Sequence, residues 1–141
     1  MDRKGFTLLE IIIVVLIIGI LASLAAPRII GKADEAKAAD AKVRMKNIET
    51  ALRLFRLDNG FYPYTEQGLQ ALVEKPSMGR IPENYRPGGY LEKKKVPLDP
   101  WGRPYIYVSP GASGDYGLLS LGSDGREGGE GHGADIHAHE E

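Results

Sequence analysis

The chain has 141 residues, which leaves room for one domain of ordinary size, and it contains no cysteine, which excludes a disulfide staple. Its 18 Lys+Arg against 19 Asp+Glu give a net charge of −1, without the basic footprint of a nucleic-acid binder. If an N-terminal apolar stretch serves a membrane, about 110 residues remain for a soluble head, a size at which a bound metal is a useful staple.

Met1–Gly5 is short and basic. From Phe6 to Ala26 the chain is apolar except for Thr7, Glu10 and Ser23. At ~1.5 Å per residue those positions span ~30 Å as a helix, the thickness of a bilayer core. Arg3 and Lys4 predict a cytoplasmic N-terminal side, with the remainder outside. A secretory signal peptide and a plain signal anchor compete with this reading, and Ala22-Ser23-Leu24-Ala25-Ala26 offers the small residues of a signal-peptide cleavage site. Glu10 argues against both. A carboxylate near the bilayer centre costs ~2.5 kcal/mol or more and needs a partner or a place near the interface. Phe6 lies one helical turn earlier, so a cut between Gly5 and Phe6 creates an α-amino group suited to Glu10, in the same chain or from a neighbouring copy.

The run Lys4-Gly5-Phe6-Thr7-Leu8-Leu9-Glu10 before an Ile/Val/Leu stretch resembles the leader of type IV pilins and pseudopilins. The resemblance implies cleavage after Gly5 by a membrane prepilin peptidase and methylation of Phe6 as the new N-terminus. It also implies that Glu10 pairs with the N-terminal amine of an adjacent subunit.

Pro27 predicts a kink or local melting, and the expectation is one long helix with a flexible break near Pro27–Gly31. Helical signals resume from Lys32 to Leu57. Ala38, Ala41, Met45, Ile48, Leu52 and Phe55 form one apolar stripe at spacings of three and four, widened by Leu54 and Leu57. This stripe is too short for a sustained coiled coil and is expected to lie under the head's own sheet. Asp58-Asn59-Gly60 ends the helix, with Gly60 in a left-handed position.

In the head, Phe61-Tyr62-Pro63-Tyr64 reads as an extended link. Thr65 is expected to cap a short helix over Glu66–Glu74, with Leu69, Leu72 and Val73 inward. Pro76–Gly89 reads as loop and Tyr90-Leu91 as a short extended piece. Asp99-Pro100-Trp101-Gly102 is a tight-turn signature. Tyr105–Val108 and Tyr116–Leu121 read as two strands joined by Ser109–Gly114. The fold class is therefore α+β, a long N-terminal helix packed at its C-terminal half on a small antiparallel sheet with a C-terminal loop region. The organisation is leader 1–5, membrane and filament-core helix 6–27, and head 28–141.

The phrases Tyr62–Val73 and Asp99–Tyr105 are similar to those of the major pseudopilins of type II secretion, within the type IV pilin-like superfamily. That resemblance implies a structural, non-enzymatic filament subunit anchored once in a bacterial inner membrane, with a periplasmic head. Its implied partners are other copies of itself, minor pseudopilins, the prepilin peptidase and an inner-membrane assembly platform, and no nucleic acid. A surface type IV pilus is the alternative, disfavoured by the lack of cysteines. A periplasmic enzyme finds no support in a nucleophile, zinc-protease or phosphate-loop pattern.

After the last expected strand, Leu121–Ile136 intersperses acids among glycines, a composition that suits a hard cation or a solvated loop. The family resemblance implies calcium. On it, Asp124 is carried over as the firmest side-chain ligand and the Leu121 carbonyl as a backbone one, followed by Asp135 and the Arg126 carbonyl. His132-Gly133 departs from the family pattern, where oxygen-bearing side chains are often found. His132, His137 and His139 are expected to be solvated and not to hold zinc.

Overall fold

In the computed structural model, residues 5–111 and 114–138 are described, with the backbone alone for 26–30. Residues 1–4 of the expected leader, part of the Ser109–Gly114 connection, His139 and the side chain of Pro27 lie outside the described residues. The chain divides into two compact units, one ending at Glu35 and the other running from Ala36.

Helix α1, Leu8–Asn59, has 52 residues and is continuous in its helical assignment through Pro27. This corrects the expected break near Pro27–Gly31. Proline removes only its own N–H donor, and strong helix formers on both sides carry the backbone across it. In the first unit, the segment Leu8–Ala25 of α1 has none of its residues buried, and it is long and apolar enough to cross a membrane.

In the second unit, Ala41, Met45, Ile48, Leu52 and Phe55 are fully or almost fully buried, so the predicted stripe is the core face of α1. Ala38 and Leu54 pack at its margin. Leu57 does not belong to the stripe; it is 78% exposed, on the far side of the last turn. Against the stripe lie Leu69, Ala71, Leu72, Tyr90, Tyr105, Tyr107, Tyr116, Leu118 and Ile136. Phe55 is the hub of an aromatic cluster, with ring centroids 5.6 Å from Phe61, 5.2 Å from Tyr90 and 6.3 Å from Tyr85. Edge-to-face and tilted contacts of this kind add about 0.5–1.5 kcal/mol each beyond burial. The helix stops as expected. The Gly60 amide donates to the Arg56 carbonyl at 2.7 Å, and Gly60 has φ 80°, a conformation costly for any residue with a Cβ.

The expected helix over Glu66–Glu74 is a single 3-10 turn, Leu69–Leu72, with Gly68 before it. Thr65 does not cap it. Its hydroxyl accepts from the Ser109 amide at 2.8 Å and donates to the Ser109 carbonyl at 3.0 Å, tying this segment to the end of the first strand. Leu69 and Leu72 point inward as expected, and Val73 is half-buried. Buried Gln67 anchors the following loop, donating to the Met78 and Arg80 carbonyls at 2.7 and 2.9 Å.

The sheet has three antiparallel strands in the order β1 (Ile106–Val108), β2 (Gly117–Ser120), β3 (Ile136–His137). Tyr107 faces Leu118, and Ser120 faces Ile136. Alternation puts Tyr107, Leu118, Ser120 and Ile136 on the buried face. β1 and β2 match the expected strands, β1 starting one residue later and β2 one residue shorter at each end. β3 was not anticipated, and Tyr90-Leu91 is not a strand. Instead Tyr90 closes the aromatic cluster, its hydroxyl accepting from Asn59 at 2.9 Å. Buried Glu49 accepts from the Tyr116 hydroxyl at 3.4 Å and stands 3.6 Å from the Lys46 ammonium.

Burial pushes the hydroxyl pKa values of Tyr85, Tyr105 and Tyr107 up to about 12, and raises that of Tyr116 as well, helped by the charge of Glu49. Folded values above the unfolded value of 10.0 mean that this stability is complete below pH ~10 and is lost as pH rises through about 12. Tyrosine ionisation followed by ultraviolet absorbance, alongside circular dichroism, should therefore show delayed titration that coincides with unfolding. Titration of all the tyrosines near pH 10 with the fold intact would contradict this packing.

Candidate functional site

Two places carry the residues singled out in the sequence, the first turn of α1 and the glycine-acid loop between β2 and β3. At the first, Gly5 and Phe6 precede the helix, with Phe6 78% exposed. Thr7 is the N-terminal cap. Its hydroxyl accepts from the Glu10 amide at 3.2 Å, while its carbonyl accepts from the Ile11 amide at 3.2 Å. Thr7-Leu8-Leu9-Glu10 has the Thr-x-x-Glu spacing of a capping box, a signal present in the sequence but not used there. Glu10 thus sits in the first turn, where the helix dipole favours an anion. It is exposed and surrounded along the helix by exposed apolar side chains. An ammonium group near Phe6 would meet a carboxylate already held at the positive end of its own helix.

The second place is built from both limbs of the loop. On the ascending limb the Leu121 carbonyl accepts from the Gly125 amide at 3.2 Å, closing a turn. Asp124 uses one carboxylate oxygen, Oδ1, to accept from the Arg126 amide at 3.0 Å. Its Oδ2 stands against the backbone of the descending limb, where a Cβ at Gly133 would lie 3.0 Å from it. A Cβ at Gly129 would lie 3.2 Å from the same oxygen and would also collide with the Gly133 carbonyl. Gly129 and Gly133 therefore admit the Asp124 carboxylate between the limbs. Gly133, where the chain departs from the family pattern of oxygen-bearing side chains, has its backbone directly beside Asp124.

Asp135 is placed differently. Its Oδ2 accepts from the Gly128 amide at 2.9 Å, and its own amide donates to the Gly128 carbonyl at 3.1 Å. The other oxygen, Oδ1, is buried without a hydrogen-bond partner. A buried carboxylate oxygen in that state is costly unless something else satisfies it. The donor set is all oxygen, which fits a hard cation. Among the described residues no group of three or more His, Cys, Asp or Glu side chains converges, so an ion held here would draw largely on backbone carbonyls. His132 gives its carbonyl to the Ser123 hydroxyl at 2.8 Å, and His137 lies in β3.

Three further residues frame the ascending limb. Buried Asp99, in the Asp-Pro-Trp-Gly turn closed by the 2.9 Å Gly102 amide to Asp99 carbonyl bond, accepts from the Trp101 and Arg103 amides. It also accepts from the Ser120 hydroxyl at 2.8 Å, and that hydroxyl accepts from the Gly122 amide at 3.4 Å. The Arg103 guanidinium donates to the Gly122 and Ser123 carbonyls at 2.8 and 3.3 Å. Proximity of Arg103 to residue 122 is a long-range contact that no local spacing announces.

A family model described as "Type II secretion system (T2SS), protein G" matches residues 28–139, and one described as "Prokaryotic N-terminal methylation motif" matches residues 1–26. The chain is 51% identical over 135 residues to the type II secretion system core protein G of Pseudomonas aeruginosa, covering 96% of this chain and 94% of that one. It is 51% identical over 134 residues to the core protein G of Vibrio cholerae, covering 95% and 90%. The crystal structure of the major pseudopilin from the type 2 secretion system of enterohaemorrhagic Escherichia coli superposes with a TM-score of 0.67. The sequence identity is 40%, with 77% of this chain and 90% of that one covered.

The loop geometry makes a prediction independent of any ion. Gly122 has φ +62°, and a Cβ there would lie 2.5 Å from the Ala134 carbonyl oxygen. Gly122→Ala should cost about 1–3 kcal/mol, from backbone strain and overpacking together. Denaturant unfolding in the presence of chelator measures it, and an unchanged midpoint would argue against this approach of the two limbs.

Proposed function

The chain belongs to the type II secretion system protein G family, and from that premise we propose that it is the repeated, major subunit of a type II secretion pseudopilus. The observation that carries the reading is the exposed apolar rod Leu8–Ala25 with one carboxylate, Glu10, in its first turn. Such a surface must be covered, first by lipid and then by the same segment of other copies. A uniformly apolar anchor satisfies only the first requirement. Glu10 supplies a reason to leave the membrane, because the N-terminal amine of an incoming copy neutralises it in the filament.

On this reading the prepilin peptidase cuts after Gly5 and methylates Phe6. The remaining chain rests in the inner membrane with its head in the periplasm. An assembly platform adds it to a helical homopolymer tipped by minor pseudopilins, whose growth drives export of folded proteins across the outer membrane. Pro27 lies at the end of the packed segment. The role is structural, and no nucleic acid takes part. Family membership sets this reading ahead of a surface pilus.

Glu10→Leu should insert in membranes as well as the parent chain and yet form no filaments. Membrane fractionation and electron microscopy of sheared filaments measure the two halves. Normal filaments from this variant would sink the proposed pairing.

The ion assigned to the loop is calcium, held by Asp124, Asp135 and the Leu121 and Arg126 carbonyls, with the Gly133 carbonyl added. It would neutralise two carboxylates and cross-link the limbs where a disulfide is impossible. Binding to the folded state alone stabilises by mass action, about 2.7 kcal/mol at a hundredfold excess over Kd. Thermal melting of the chain in calcium against chelator should show a higher midpoint in calcium. Superimposable transitions would count against the site.

A further inference from the structure

The Asp-Pro-Trp-Gly turn and the loop after β2 are joined by a continuous set of hydrogen bonds that the filament role does not call on. Asp99 is 2% exposed, and Ser120 is fully buried. Asp99 holds the Ser120 hydroxyl, which in turn holds the Gly122 amide, while Arg103 takes the next two carbonyls in its planar fork. Gly125 has φ +69°, and a Cβ there would lie 2.5 Å from the Arg103 guanidinium carbon, so the loop wraps closely on the guanidinium. Arg103 is a cation beside a loop assigned to a cation, which by charge alone would weaken binding. Its hydrogen bonds act in the opposite sense. By occupying the Gly122 and Ser123 carbonyls it fixes the peptide planes on either side of Ser123, while the Ser120 hydroxyl on the Gly122 amide fixes the preceding plane, and together they set where the Leu121 carbonyl and the Asp124 carboxylate stand.

We propose that Arg103, braced by Asp99 and Ser120, is a positioning residue for the oxygen loop, setting the ascending limb in its ligand-bearing form before the ion arrives. The inference rests on the calcium reading above. Residues 121–125 are then pre-organised, and the ion has only the descending limb, 126–135, to order. Positioning outweighs repulsion because the fork's two bonds are short-range and directional, whereas its charge is spread over a guanidinium already engaged with carbonyl dipoles. A lysine in its place keeps the charge and loses the fork.

The test is calcium titration by calorimetry on the full chain in detergent micelles, comparing the parent with Arg103→Met and Arg103→Lys, each also melted in chelator. Both variants should bind calcium about 10- to 100-fold more weakly. In chelator, their midpoints should fall much less than the affinity loss alone would suggest. Arg103→Lys serves as the milder variant should Arg103→Met fail to fold. Equal or tighter calcium binding by a folded variant overturns the proposal and leaves the calcium reading standing. A parent chain that binds no calcium overturns both.

Discussion

Burial of Met45, Ile48, Leu52 and Phe55 under the sheet is the contact on which the head depends. The sheet has three short strands, with β3 only two residues long, and such strands are not stable by themselves. They persist because Tyr107, Leu118 and Ile136 close over one face of α1, and because the rings of Phe61, Tyr85 and Tyr90 gather around Phe55. The same helix thus supplies the core of the head in its second half and, in its first, an apolar surface left for lipid or for other copies. One hydrophobic effect serves both halves, within the chain in one and between molecules in the other.

The C-terminal region has little apolar material and so needs another means of staying in place. Polar connections do this work. Ser120 and Asp99 are both buried and bonded to each other, and Arg103 reaches across from the neighbouring turn. Glycines at 122, 129 and 133 let the limbs approach to distances that a Cβ would forbid. In the loop, the unsatisfied Asp135 Oδ1 marks the point where these hydrogen bonds within the chain stop.

Much of this was legible in the sequence, for physical reasons that differ by element. The α1 stripe was readable because a 3.6-residue period reports which face is buried, and Gly60 because the left-handed cap favours glycine. Leu57 shows the limit of counting apolar residues, since two residues beyond Phe55 place it about 200° round the helix, where it faces solvent. Thr65 and Tyr90 were misplaced because local propensity lost to long-range partners, Ser109 for one and Phe55 for the other. β3 was invisible because two residues carry no period; pairing with Leu119 and Ser120 creates it. In the loop, Asp124 was singled out through the family resemblance, since composition alone suited a solvated loop equally, and its neighbours Gly133 and Arg103 are set by the fold. Arg103 in particular is separated from Gly122 by the whole β1–β2 hairpin.

On the proposed pairing, the first turn of α1 lets a single carboxylate serve two states. In a Thr-x-x-Glu sequence the threonine hydroxyl satisfies the backbone amide of Glu10, so the helix start does not require the Glu10 side chain to fold back. The carboxylate is then free to face an ammonium group while still benefiting from the helix dipole. An aspartate would bring a shorter reach, and an asparagine would lose the charge that makes the pairing worth leaving the membrane for. A glutamate further along the helix would lose the dipole and sit deeper in lipid, where its cost rises. The position one turn after Phe6 would therefore meet three demands of the proposed pairing together: a capped helix start, a tolerable depth in the bilayer, and reach to a new N-terminus.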